Sequence, residues 1–166
     1  MKQESNYSLR ILMVCLGNIC RSPIADGLLR RKVKENNLNI LVDSAGTAAY
    51  HIGKAPDSRM CSTAEEFGTN IKNLVARKFT INDFDDFDII YAMDEANREN
   101  ILSLARNNSD RKKVRLILDE LYSNSNLSVP DPYYGSLEDF KAVYELVEKV
   151  TSVIIMKIKN GEINGI

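Results

Sequence analysis

Cys15, Arg21 and Ser22 fall within one short segment, Cys15-Leu16-Gly17-Asn18-Ile19-Cys20-Arg21-Ser22. Together these residue types could handle a phosphate group. A loop wrapped around a helix N-terminus turns backbone N–H groups inward, and the helix dipole adds positive potential. Gly17 allows an unusual backbone conformation, and Asn18 tolerates the left-handed region. Arg21 supplies a planar fork that matches two phosphate oxygens. A cysteine at the base of such a loop feels the same field, which favours thiolate over thiol. The cradle would then bind a phosphate dianion and also make a nucleophile. The Ser22 hydroxyl could donate to the Cys15 sulfur and ease its departure. By itself Cys-x5-Arg is a short pattern, and a free cysteine at a strand end is most often a small buried hydrophobe. No Gly-Lys-Ser/Thr follows, which excludes a Walker A loop.

The elements around the segment favour the cradle. Leu9-Arg10-Ile11-Leu12-Met13-Val14 reads as a strand buried on both faces. Ser22-Pro23 reads as a helix start, with serine as N-cap and proline at the first helical position. Ile24, Ala25, Leu28 and Leu29 recur at helical spacing, so the helix runs to about Glu35. Ile40-Leu41-Val42 is a second strand. Pro56-Asp57 opens a helix with Met60, Ala64 and Phe67 on one face and Gly68 at its end. Asp88 to Met93 is a third strand, and Asp94 caps a helix carrying Ile101, Leu104 and Ala105. Val114 to Leu118 is a fourth strand. Ser136 and Asp139 begin a long last helix with Phe140, Tyr144, Val147, Ile154 and Ile158 in its stripe.

Four strands alternating with four helices predict an α/β fold, a parallel sheet with helices on both faces joined by right-handed crossovers. We expect a three-layer sandwich, flavodoxin-like, with strand order 2-1-3-4. Ligands bind such sheets at the carboxyl ends of the strands, where the Cys15 segment leaves the first one. The 166 residues suit one domain over 1–166, with residues 1–7 as a flexible arm. Lys plus Arg total 22 against 23 Asp plus Glu, a net charge of −1. This leaves no basic excess for a nucleic-acid partner. No apolar run approaches the ~20 residues of a membrane span, and the polar start does not read as a secretory signal. One histidine, His51, cannot build a multi-histidine metal centre. Three cysteines, Cys15, Cys20 and Cys61, do not make a disulfide scaffold, which points to a reducing cytoplasm.

The run Val14-Cys15-Leu16-Gly17-Asn18-Ile19-Cys20-Arg21-Ser22-Pro23 resembles the signature of the low-molecular-weight protein tyrosine phosphatases. Asp43-Ser44-Ala45-Gly46-Thr47, Pro56-Asp57-Ser58-Arg59, Ala76-Arg77, Met93-Asp94-Glu95-Ala96-Asn97 and Asp131-Pro132-Tyr133-Tyr134 follow in the family's order. The resemblance covers roughly residues 8 to 160 and implies a two-step, metal-independent phosphoryl transfer. Cys15 would attack phosphorus and form a phosphocysteine. Asp131 would protonate the leaving tyrosyl oxygen, then act as base for the hydrolytic water. A phenoxide leaving group, with a conjugate acid near pKa 10, does need such a proton. On spacing alone Asp131-Pro132 is an ordinary turn; the resemblance reverses that preference.

Tyr133 and Tyr134 resemble one wall of the family's substrate pocket, with Tyr50 facing them and His51 at the rim. Aromatic walls suit a phenyl ring. Asn18, Ser22 and Ser44 resemble the network that supports the loop, and Asp94 combines a helix cap with a supporting role. Cys20 resembles a neighbour that forms a reversible disulfide with the nucleophile, while Cys61 reads as core. The implied partners are phosphotyrosine proteins and small aryl phosphates, with inorganic phosphate as product, no cofactor and a monomeric chain. Many members carry a histidine before the Ala-Arg segment. Here the stretch is Asn73-Leu74-Val75-Ala76-Arg77, so that tie is absent.

Three other readings are weaker. An arsenate reductase on this fold needs further cysteines near residues 80 to 90, and none follows Cys61. A non-catalytic phosphotyrosine-binding module would lack Cys15, Arg21 or Asp131. A flavin-mononucleotide carrier has no need of Cys and Arg in this pattern.

Overall fold

A computed structural model describes residues 6–164. Four strands form one parallel sheet: β1 (Leu9–Cys15), β2 (Ile40–Gly46), β3 (Ile89–Ala92) and β4 (Val114–Leu116), in the order β2-β1-β3-β4. The expected strand order 2-1-3-4 is therefore the observed one. Side chains of β1 alternate between two apolar clusters, as the strand pleat requires. Ile11 and Met13 join Ile24, Leu28, Met60, Phe140 and Val147 on one face. Leu12 and Val14 join Phe79, Phe84, Ile90 and Ile101 on the other. The first face is covered by α1 (Arg21–Glu35), α2 (Ser58–Glu66) and α6 (Leu137–Lys159). The second is covered by α3 (Asp83–Asp86) and α4 (Glu95–Leu102). A further helix, α5 (Asn108–Lys113), leads into β4.

Several helix boundaries follow their side chains. The Asp57 carboxylate accepts from the Arg59 amide, and the Asp94 carboxylate accepts from the Asn97 amide at 2.7 Å, so both act as N-caps. Ser136 and Asp139 form the expected capping box of α6. No helix among the described residues is long and apolar enough to cross a membrane.

The structure corrects four expectations. Ser22 is not the cap of α1. The helix begins at Arg21 with Cys20 in the cap position, because the Ser22 hydroxyl is engaged by Cys15 and Asn18. Phe67 lies past the last turn of α2 and is exposed, stacked on Tyr144 with ring centroids 4.8 Å apart. Leu104 and Ala105 lie beyond α4, and Leu104 is exposed. The fourth strand ends at Leu116 and continues as a 3-10 turn over Ile117–Glu120. Residues 1–5 of the expected arm lie outside the described residues. The Asn6 carbonyl accepts from Asn39 Nδ2 at 2.7 Å.

Candidate active site

The segment after β1 curls over the carboxyl edge of the sheet. The Thr47 and Ala48 amides donate to the Cys15 and Leu16 carbonyls, both at 2.9 Å. The loop lies so close to the end of β2 that a Cβ on Gly46 would stand 2.8 Å from the Leu16 carbonyl oxygen. The left-handed position in the loop is Asn18, with φ 56°. Asn18 thus takes the left-handed conformation its residue type tolerates, and Gly17 does not. A Cβ at Gly17 would stand 3.1 Å from the His51 ring, a tight approach that glycine avoids.

Asn18 is almost wholly buried and holds the loop from three sides. Its Nδ2 donates to Ser22 Oγ at 2.8 Å and to Ser44 Oγ at 3.0 Å, while its Oδ1 accepts from the Arg77 amide at 3.0 Å. That last bond supports the loop from the Ala76-Arg77 segment through backbone. Leu74, in the stretch that lacks the family's histidine, packs against the core. Within the loop, Cys15 Sγ lies 3.0 Å from Ser22 Oγ and accepts from the Asn18 amide at 3.3 Å.

Arg21 is 3% exposed. Its Nη1 donates to Asp94 Oδ2 at 2.5 Å and to the Val129 carbonyl at 3.2 Å, and its Nη2 faces Asp131 Oδ2 at 3.5 Å. Burial alone would push the guanidinium down, but Cys15, Asp94 and Asp131 together hold it above its ordinary value. The Val129 amide donates to the Met93 carbonyl at 2.8 Å. This bond fastens the segment that carries Asp131 to the end of β3. The fold thus brings Asp131 to Arg21 across more than a hundred residues of chain.

Cys15, Arg21, Asp131, Tyr50, His51 and Tyr133 line a cavity of about 310 Å³, with Tyr134 at its mouth. The His51 ring lies between Tyr50 and Tyr133, with centroids 6.4 and 6.3 Å away. Tyr133 and Tyr134 meet edge to face at 4.8 Å. Tyr134 is 95% exposed and Tyr50 73% exposed, so both present open aromatic faces to anything that enters. Cys20 is buried beside the cradle. Burial, with help from Asp57, Cys15 and Asp131, pushes its thiol strongly up. Cys61 is buried on α2 with its sulfur on the Pro56 carbonyl, and plays no part in the cavity. The geometry adds Arg59, which bonds both Asp57 and the Tyr133 carbonyl. Its place in the Pro56-Asp57-Ser58-Arg59 motif was the available signal.

A cavity with a thiol at its floor, one buried cation and an aromatic rim can take an aryl phosphate. Known proteins resemble this chain over most of its length. The family profile for low molecular weight phosphotyrosine protein phosphatases matches residues 10–162. The chain is 41% identical to the human low molecular weight phosphotyrosine protein phosphatase, covering 81% of this chain and 86% of that one. It is 39% identical to the fission yeast (Schizosaccharomyces pombe) protein, covering 82% and 88%. The crystal structure of a protein tyrosine phosphatase from Entamoeba histolytica superposes with a TM-score of 0.87 at 34% identity, covering 94% of this chain and all of that one.

Proposed function

This chain belongs to the low molecular weight phosphotyrosine protein phosphatases, and on that premise we propose a mechanism for its hydrolysis of phosphotyrosine. The phosphate enters the cradle over Cys15, with the Arg21 guanidinium and the inward backbone N–H groups of residues 16–22 taking its oxygens. The Cys15 thiolate attacks phosphorus in line with the P–O bond to the tyrosyl oxygen. As that bond breaks, Asp131 gives its proton to the departing oxygen. The result is a phosphocysteine, free tyrosine and an ionised Asp131.

The second half runs the same groups in reverse order. Asp131 takes a proton from water as the water oxygen attacks phosphorus, and the S–P bond breaks. Inorganic phosphate forms and the thiolate returns, with the Ser22 hydroxyl donating to the sulfur as it departs. No cofactor takes part. Tyr50, Tyr133 and Tyr134 hold the phenyl ring, so phosphotyrosyl proteins and small aryl phosphates are substrates. Serine and threonine phosphates have no ring to place between these aromatic side chains. The reading places the enzyme in the cytoplasm, where free thiols persist, acting as a monomer.

One observation carries this reading: Cys15, Arg21 and Asp131 line one cavity. The test is p-nitrophenyl phosphate hydrolysis in the presence of a metal chelator. Wild-type turnover should continue and Asp131→Asn should slow it. A requirement for a divalent cation would overturn the mechanism.

A further inference from the structure

Arg59 is outside the phosphate cradle, yet its guanidinium stands between the two halves of the site. It lies in the first turn of α2, two residues after the cap Asp57. Its Nε and Nη2 donate to the two Asp57 carboxylate oxygens at 3.1 and 2.8 Å. The same Nη2 donates to the Tyr133 carbonyl at 3.0 Å. The guanidinium carbon also lies 4.6 Å from the centre of the Phe140 ring and 5.5 Å from that of Tyr133. Two acceptors in different segments and two ring faces leave this planar group little freedom.

Its two partners reach the site from opposite sides. The Asp57 amide donates to the Ile19 carbonyl of the cradle at 2.8 Å. The Tyr133 amide donates to Asp131 Oδ1 at 3.1 Å. A continuous series of hydrogen bonds therefore runs from Ile19 through Asp57, Arg59 and Tyr133 to the Asp131 carboxylate. Asp131 needs such an anchor: its side chain is 42% exposed and its approach to Arg21 is long, at 3.5 Å. With Oδ1 held by Tyr133 at 3.1 Å and Oδ2 approached by Arg21 only at 3.5 Å, Oδ2 is the more loosely held oxygen and the one placed to carry the proton toward a leaving group.

We propose that Arg59 is a positioning residue for proton transfer, fixing the segment that carries Asp131 at a set height over the cradle. The proposal rests on the assignment of Asp131 as general acid made above. Arginine suits the task because its fork stays charged and can serve a carboxylate and a carbonyl at once. Lysine, a point charge on a flexible stem, keeps one partner at a time. Loss of the tie should leave phosphate binding and attack by Cys15 intact and misplace only the proton. The effect should then scale with how badly the leaving group needs that proton.

The test compares kcat/KM for phenyl phosphate and dinitrophenyl phosphate in wild type, Arg59→Met, Arg59→Lys and Asp131→Asn. Because a placed general acid contributes factors of a hundred or more, Arg59→Met should lose about tenfold on phenyl phosphate and less than about twofold on dinitrophenyl phosphate. Arg59→Lys should show the same selectivity with a smaller loss, and it serves alone if the methionine variant fails to fold. Inhibition by inorganic phosphate should stay within about twofold of wild type, since the cradle is untouched. Adding Arg59→Met to Asp131→Asn should cost nothing further on phenyl phosphate. Equal losses on both substrates, or no loss, would overturn the proposal and leave Arg59 as a tie that only stabilises α2. If Asp131→Asn itself shows no leaving-group dependence, the acid assignment has failed, and the role of Arg59 falls with it.

Discussion

Cys15 Sγ and Ser22 Oγ stand 3.0 Å apart, one at the end of β1 and the other in the first turn of α1. The same hydroxyl accepts from Asn18 Nδ2, so its own proton has two destinations: the sulfur, or the Ala45 carbonyl at 3.4 Å. The sulfur is nearer, and in the proposed mechanism it is the atom that becomes an anion when phosphocysteine is hydrolysed. Ser22→Ala should therefore slow the second half-reaction more than the first. We expect kcat to fall by about a hundredfold to a thousandfold, the range of one lost donor to a developing anion. Rapid-mixing absorbance with p-nitrophenyl phosphate should then show a burst of nitrophenol. A fall without a burst would place Ser22 in phosphocysteine formation instead.

Asp94 serves two masters: it caps α4 and it holds Arg21. Asp94→Asn keeps a good cap residue while removing the charge. A buried guanidinium left with less compensation is destabilising, and we expect a loss of about 2 kcal/mol in urea unfolding. KM for p-nitrophenyl phosphate should rise as Arg21 loses its fixed direction. Unchanged stability together with unchanged KM would contradict this pairing.

Asp26 is fully buried on α1, with Oδ1 bonded by Arg30. Burial pushes its carboxyl up from 3.8 to about 6, against the pull of Arg30 and with a further push from Asp43. A raised carboxyl favours the folded state when protonated. Its contribution is full below pH 3.8 and is lost as pH rises through about 6. Relative to Asp26→Asn, wild type should lose about 3 kcal/mol of stability between those limits. Urea unfolding of both proteins at several pH values measures the difference, and a flat or rising difference would contradict it.

Cys20 is buried next to the cradle with its thiol held up, so it is not the sulfur that peroxide attacks first. Oxidation of the Cys15 thiolate by peroxide gives a sulfenic acid. Condensation with the Cys20 thiol would release water and form a disulfide that thiol reductants reopen. Mass spectrometry after peroxide treatment should find a Cys15–Cys20 link in wild type. Cys20→Ser should instead lose activity irreversibly. Sulfonate at Cys15 in wild type, with no link, would rule out this protection.

The parts of the molecule that are local patterns were readable from residues alone. The apolar run of β1, the caps Asp57 and Asp94 and the Ser136/Asp139 box each depend on neighbours a few residues away. The cradle was readable for the same reason, since Cys15 to Ser22 are contiguous. Ser22 was misread as a cap because its hydroxyl is claimed by Cys15 and Asn18, partners that a helix preference does not contain. Helices α3 and α5 are too short to carry a periodic stripe. Their ion pairs help fasten them: Asp83 takes Arg77, and Asp110 takes Arg106. Arg59 is the clearest case, because one of its acceptors, the Tyr133 carbonyl, lies 74 residues away.

The central claim is that phosphate passes through the Cys15 sulfur. Acid quenching of the enzyme during turnover, followed by peptide mass spectrometry, tests it directly. The account predicts one phosphoryl group on the peptide containing Cys15, increased in Ser22→Ala, and no turnover in Cys15→Ser. Turnover that persists in Cys15→Ser, or a phosphoryl group found on another residue, would contradict it.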